Sequence, residues 1–278
     1  MARRSFRSRG ANGNVAGWAR KLFTMNGTVY LVGAGPGAPD LLTVRAARLL
    51  ACADIVFYDA LVHPDTLAPA ARAEKVAVGK RCGRHSTAQR FIDKRLVDAA
   101  RKHATVVRLK GGDPMLFGRA QEEIAALEAA GVRFEVVPGV TAALAAAAAI
   151  RTSLTQRGRV RSFVFATPRV GDGADASDWI EGVRHADAGA IYMGAREAVR
   201  IAAALIGAGM APATPVAIVV DASLASEQTH YTTLAQLPAF AESAIEGAAL
   251  LFVGPQFRPR ARWCAAIDEN ARARARRA

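Results

Sequence analysis

An α/β fold in two parts is predicted by the order of apolar segments along the 278-residue sequence. Strand-length apolar runs at 28–32, 54–58, 75–78, 105–109 and 133–137 alternate with helix-like stretches at 40–51, 87–102 and 119–130, the pattern of a mostly parallel sheet. After an alanine-rich helical segment at 142–150 the rhythm changes. Strand-like runs at 162–166, 189–193, 215–220, 228–233 and 249–253 follow with fewer helices between them, so a second domain is expected from about residue 151. With 51% hydrophobic residues, the chain can bury a sizeable core.

The first strand runs into Gly33-Ala34-Gly35-Pro36-Gly37, and Asp40 after Pro39 is a plausible N-cap for the first helix. Cys52, on the apolar face of that helix, is expected in the core. Ser86-Thr87-Ala88-Gln89 matches a capping box ahead of Phe91, Ile92, Leu96 and Ala99 at helical spacing. The strand at 105–109 runs into a second glycine-rich turn, Lys110-Gly111-Gly112-Asp113-Pro114. Both turns follow a strand and precede a helix, which is where open α/β sheets bind small molecules. Glycine lets backbone amides and carbonyls approach a ligand with no Cβ in the way. The first turn lacks the third glycine of a dinucleotide fingerprint, and Pro36 has no N–H to offer a pyrophosphate, so a dinucleotide site is not expected.

The formal charge of +13 suggests nucleic acid until it is located. Residues 1–26 carry +6 and residues 258–278 carry +5, which leaves +2 for residues 27–257. The extensions read as solvated, disordered ends able at most to attract nucleic acid non-specifically. The acid-free segment before Met25 has a transit-peptide-like composition, and a start codon placed too far upstream accounts for it as well; the second reading is preferred. The longest apolar run, Ala142 to Ile150, is far short of the roughly 20 residues that cross a bilayer, and a cytoplasmic location is expected. Cys52, Cys82 and Cys264 are odd in number and far apart, against a disulfide framework. His63, His85, His103, His185 and His230 have no metal-ligand spacing, and no metal site is expected.

Six segments occur in unbroken order between Gly27 and Gly254: GAGPG (33–37), YDALV (58–62), VGKRCGRHS (78–86), VVRLKGGDP (106–114), VVPGVTA (136–142) and IYMG (191–194). Together they resemble the uroporphyrinogen-III C-methyltransferases of the tetrapyrrole methylase family. The resemblance implies two unequal α/β domains, 27–150 and 151–257, with the active site in the cleft between them, and a homodimer. It implies S-adenosylmethionine as methyl donor, S-adenosylhomocysteine as its product, and methylation of uroporphyrinogen III at carbons 2 and 7 to give precorrin-2 for sirohaem or cobalamin.

Methyl transfer from a sulfonium needs alignment and exclusion of water, and alkylating a pyrrole-derived carbon leaves a cation that must lose a proton. Asp59, at the end of the strand 54–58, can accept one; a turn aspartate is its bland alternative, and the resemblance assigns it the role of proton acceptor. Lys80 matches the lysine the family treats as proton donor, and is otherwise an exposed loop lysine. Gly111, Gly112 and Asp113 match the donor-binding loop. Pro36, Leu116, Thr141, Ala142, Met193 and Ala222 fall at the other positions where the family contacts the donor, although Met193 could equally fill space in a core. A carboxylate-rich tetrapyrrole calls for arginines, and Arg81, Arg84, Arg108 and Arg157 lie near the motif loops.

The chain departs from the family at Ala38, Gln156, Pro168 and Val220-Asp221-Ala222, so contacts in the second domain are expected to be altered. A later precorrin as substrate, or a divergent copy with an altered substrate, is the alternative within enzymes. An RNA-modifying or RNA-binding protein is the alternative from another class; the near-neutral body and 6% aromatic content argue against it.

Overall fold

The computed structural model describes residues 27–78, 89–169, 178–241 and 247–259. Within them the expected two sheets form, and most strands fall within a residue or two of their expected ends. β1 (Thr28–Gly33), β2 (Ile55–Tyr58), β3 (Glu74–Ala77), β4 (Thr105–Lys110) and β5 (Arg133–Val137) make a five-stranded parallel sheet in the order β3-β2-β4-β1-β5. Helix α1 (Val44–Ala51) covers one face with Ala46 and Leu50, against Val32, Val56, Val107 and Leu109. Helices α2 (Gln89–Ala100) and α3 (Ala120–Ala129) cover the other. Ile92, Leu96 and Ala99 of α2, with Ile124 and Leu127 of α3, pack on Leu31, Phe57 and Val106. Because both faces of the sheet are covered, β4 is buried almost throughout, and its apolar run reflects that.

Helix α4 (Ala142–Ala149) connects the two sheets in sequence. Its Ala143, Ala146 and Ala147 lie against Ala190, Ala217, Leu250 and Phe252 of the second sheet. That sheet comprises β6 (Phe163–Ala166), β7 (Ala188–Tyr192), β8 (Pro215–Val220), β9 (Gln228–Thr233) and β10 (Ala249–Val253), in the order β6-β7-β10-β8-β9. β6 and β7 are parallel; the other pairs are antiparallel. Helices α5 (Trp179–His185), α6 (Ala198–Gly207) and α7 (Leu237–Ala241) cover the face opposite α4, through Trp179, Val183, Ile201, Leu205 and Leu237. Of the four edge strands, β3 and β9 are polar, which discourages further pairing there.

Two local expectations are corrected. Residues Pro39–Leu41 form a single 3-10 turn, and α1 starts after Thr43, whose Oγ1 accepts the Ala46 amide at 3.1 Å; the hydroxyl satisfies an orphan helix amide, so Thr43 and not Asp40 is the cap. Cys52 lies at the C-cap of α1 and is exposed, because the helix ends before its face turns inward again. The capping box at Ser86 lies outside the described residues.

Three helices end with the same pair of bonds, from the first and second residues after the cap back into the last turn. After α3 these come from Gly131 and Val132, after α6 from Gly209 and Met210, and after α4 from Arg151 and Thr152. The left-handed position is glycine in the first two and Arg151, at φ 52°, in the third.

Candidate active site

The parallel register places Gly33 of β1 beside Lys110 of β4, so the two glycine-rich turns emerge side by side. They pair directly: the Gly112 amide donates to the Gly35 carbonyl at 2.7 Å and the Gly35 amide to the Gly112 carbonyl at 3.1 Å. The loop after β5 closes on them as a third turn. A Cβ on Gly139 would lie 2.4 Å from the Gly112 carbonyl oxygen, and one on Gly33 would lie 2.6 Å from Gly139. Gly112 itself (φ 67°) faces open space, since a Cβ there meets nothing nearer than Thr141 Cα at 3.9 Å. The structure thus brings Gly112, Thr141 and Ala142 around one open hollow above the sheet edge, while a Cβ on the adjoining Gly111 would lie 3.0 Å from Leu61.

Asp113 holds this arrangement. Its Oδ1 accepts the Met115 amide and its Oδ2 the Gly139 amide, each at 2.8 Å, so the carboxylate clips the second turn to the third. Leu116 follows in the same turn, half-buried. Pro36 stands in the first turn, whose next residues reach the second sheet. A Cβ on Gly37 would lie 2.8 Å from Leu224, and the Ala38 amide donates to Ser223 Oγ at 3.1 Å. Buried Ala222 is the neighbour of Ser223, so the first turn meets the segment that carries Ala222.

Asp59 follows β2 directly and is 28% exposed. Arg108 of β4 donates from Nη2 to Asp59 Oδ1 at 2.5 Å, from Nε to Glu123 Oε1 at 2.9 Å, and from Nη1 to the Leu109 carbonyl. Glu123 of α3, fully buried, also accepts from Lys110 Nζ through both oxygens, at 2.9 and 3.0 Å. Burial works against the Arg108 charge, but Asp59 and Glu123 outweigh it and hold the guanidinium above its usual range. Lys110 is held below its usual value by burial and by Arg108, despite Glu123. The result is a buried line of alternating charge, Lys110–Glu123–Arg108–Asp59, with only its last member partly exposed. Arg108 was expected among the substrate's arginines. At 2% exposure and with its guanidinium taken up in this way, it is instead the support of Asp59.

From the second sheet, Tyr192 at the end of β7 reaches the start of α4. Its hydroxyl pairs with Thr141 Oγ1 at 2.7 Å and accepts the Ala143 amide at 3.1 Å, serving a helix start that Thr141 does not cap itself. Burial raises the Tyr192 hydroxyl above its usual value, so it stays neutral. Its ring lies 5.0 Å from Phe117 and 6.2 Å from Phe165. Met193, next in sequence, is 42% exposed at φ 58°, a strained conformation for methionine; it faces solvent and does not fill the core. A cavity of about 610 Å³ opens beside this cluster, between α4 and β6.

Lys80, Arg81, Arg84 and His85 lie outside the described residues. Arg157 is exposed in the tight turn between Gln156 and Val160, away from the glycine loops along the chain. No cluster of metal-ligating side chains occurs among the described residues, nor any helix long and apolar enough to cross a membrane. Sequence reasoning missed Glu123 and Tyr192. Glu123 sits on an ordinary amphipathic helix, and only the burial of two cations on β4 could have called for it.

The Tetrapyrrole (Corrin/Porphyrin) Methylases model matches residues 28–238. The siroheme synthase of Chromobacterium violaceum is 46% identical over 230 residues, 82% of this chain and 49% of its own length; that of a Psychrobacter species is 44% identical over 82% of this chain and 47% of its own. The chain therefore spans about half the length of these relatives. The crystal structure of uroporphyrin-III C-methyl transferase from Thermus thermophilus complexed with S-adenosylhomocysteine is 40% identical, with a TM-score of 0.72 over 82% of this chain and 97% of that one. A cobalt precorrin-4 methyltransferase is 30% identical, with a TM-score of 0.74 over 84% and 96%. A family match over residues 28–238, from β1 to the start of α7, makes this chain a member of the tetrapyrrole (corrin/porphyrin) methylases.

Proposed function

We propose that this chain uses S-adenosylmethionine to methylate uroporphyrinogen III at carbons 2 and 7, giving precorrin-2 for sirohaem or cobalamin. The observation that carries the reading is the 40% identity to a uroporphyrin-III C-methyl transferase across 97% of that enzyme. The bound donor supplies an electrophilic methyl group. The hollow beside Gly111, Gly112, Thr141 and Ala142 suits it, since backbone groups there are reachable and a side chain on Gly112 would intrude. Pro36, Leu116, Met193 and Ala222 close the hollow, and Asp113 keeps its floor in register. Held next to the donor, an electron-rich pyrrole carbon takes the methyl group by in-line displacement, where orientation and exclusion of water supply much of the rate. Asp59 then accepts the proton that the alkylated ring must lose, with Arg108 fixing its orientation. Lys80 is the proton donor of the same reading, and Arg81, Arg84 and Arg157 are its substrate-facing arginines. The family resemblance supports a homodimer.

The test is anaerobic incubation with S-adenosylmethionine and uroporphyrinogen III, followed by mass spectrometry of the tetrapyrrole. A gain of two methyl groups is expected. Donor binding without any gain would point to a later precorrin, the reading favoured by the near-equal TM-score of the cobalt precorrin-4 methyltransferase.

A further inference from the structure

Loops from the two sheets meet at Ala38 and Ser223. The Ala38 amide, in the loop after β1, donates to Ser223 Oγ, in the turn between β8 and β9, at 3.1 Å. A Cβ on Gly37 would lie 2.8 Å from both Cγ and Cδ2 of Leu224, so Leu224 is seated on bare backbone that only glycine offers. Both sides of this contact lie at or beside positions where the chain departs from its family, Ala38 in one loop and Asp221-Ala222 in the other. The turn between β8 and β9 is held firmly to its own sheet. Asp221 Oδ1 accepts the Ala248 amide and its Oδ2 the Ser226 hydroxyl, each at 2.9 Å, while Glu227 Oε2 accepts the Ser223 amide at 2.7 Å. Its hold on the first glycine turn is lighter, one neutral hydrogen bond and one apolar contact, and can part and re-form. On its other side the first turn pairs with Gly112 through the Gly35 amide and carbonyl, and Gly112 borders the donor hollow with Thr141 and Ala142. Thr141 is tied to the second sheet separately, by Tyr192. The backbone around the hollow is thus anchored to the second sheet at two points.

We propose that the turn between β8 and β9 is a latch on the first glycine turn, with Ser223 and Leu224 as positioning residues that retain the methyl donor in its hollow. The proposal rests on the donor site described under the proposed function. Latched, the first turn keeps Gly112 in place against the donor. A reaction that adds two methyl groups needs two donors in succession, so the hollow must open between them to release S-adenosylhomocysteine. Parting of Ala38 from Ser223 loosens one anchor while Tyr192 keeps the other, which lets the donor exchange without separating the two sheets.

The test is stopped-flow dissociation of S-adenosylhomocysteine from wild type, Ser223→Ala and Leu224→Ala. Ser223→Ala should speed dissociation about fivefold, the worth of one neutral hydrogen bond. Leu224→Ala should speed it about tenfold, the worth of a partly buried leucine side chain. The melting midpoint without ligand should stay near that of wild type, because the turn keeps its bonds to Asp221 and Glu227. The KM for S-adenosylmethionine should rise in both variants and that for the tetrapyrrole should not. Unchanged dissociation in both variants overturns the proposal, whether or not the midpoint falls, since a merely structural contact would move the midpoint alone. Wild type that binds no S-adenosylhomocysteine would remove the donor reading and the latch with it. Wild type that binds it without methylating uroporphyrinogen III removes only the substrate reading, and the dissociation rates still decide the latch.

Discussion

Arg108 Nη2 meets Asp59 Oδ1 at 2.5 Å, joining a side chain 3% exposed to one 28% exposed. The strand that carries the Gly111-Gly112 turn thereby also fixes the carboxylate next to it, and the two halves of the proposed chemistry share one support. Asp59→Asn leaves Arg108 an oxygen to bind but removes the proton acceptor. Turnover should fall by about 10²–10⁴-fold, the usual worth of a placed base. Calorimetry should find S-adenosylhomocysteine binding unchanged. Wild-type turnover in this variant would take Asp59 out of the mechanism.

The inner half of the same line is a stability device. Glu123 is fully buried between Arg108 and Lys110, and taking one partner from a buried ion pair costs roughly 3–5 kcal/mol. Glu123→Leu should therefore lower the melting midpoint by roughly 10 °C in a protein of this size. Adding Lys110→Met removes the stranded ammonium, and the double variant should recover part of the loss. A single variant as stable as wild type would show that the cluster contributes nothing.

Why the strands were legible and this cluster was not has a physical basis. Strand identity follows from local apolar runs, and β4 or β8 buried on both faces reads plainly as one. The two glycine turns were legible because both lie at strand ends, and parallel pairing of β1 with β4 brings such ends together. Glu123, by contrast, matters only because α3 lies over β4, a fact of packing that no local pattern carries. Arg108 misled for the same reason: next to a motif loop it reads as a surface charge, while its strand position points it inward to two carboxylates. Tyr192 was quoted within a motif, but its hydroxyl acts on a helix 49 residues away.

The three glycines of the hollow should respond differently to alanine. At Gly33 and Gly139 the added Cβ would sit within 2.6 Å of backbone atoms, which cannot yield without parting the strands. At Gly112 the space is open, so for folding only the left-handed backbone is at issue, a penalty of roughly 1–2 kcal/mol. Gly139→Ala should thus lower the melting midpoint sharply, while Gly112→Ala folds with a modest loss of stability and weakens S-adenosylhomocysteine binding in a calorimetric titration, because its Cβ enters the hollow. Equal behaviour of the two would mean that the close approach of the turns is not what shapes the hollow.

Tyr192→Phe keeps both ring contacts and removes the hydroxyl that serves Thr141 and the Ala143 amide. Losing a neutral bond at a helix start costs roughly 1 kcal/mol. The KM for S-adenosylmethionine should rise severalfold and that for the tetrapyrrole should not, since the start of α4 borders the donor hollow. A variant with both KM values unchanged would reduce this link to a packing contact.

One contribution to acid sensitivity should come from the start of the second sheet. Asp187, just before β7, accepts the Arg161 and Ser162 amides and the Ser162 hydroxyl through one oxygen. These bonds, the Arg161 amide first, hold its carboxyl below the ordinary 3.8. A carboxylate whose folded value is depressed adds stability at pH above its unfolded value, and that stability is lost as the pH falls through the folded one. The wild type should therefore lose stability below about pH 4, the ordinary aspartate range. Asp187→Asn retains an oxygen for the amides but has no charge to titrate. Its urea midpoint should be lower than wild type at pH 6, with the gap narrowing toward pH 3. Parallel midpoint curves across that window would show that Asp187 does not couple folding to protons.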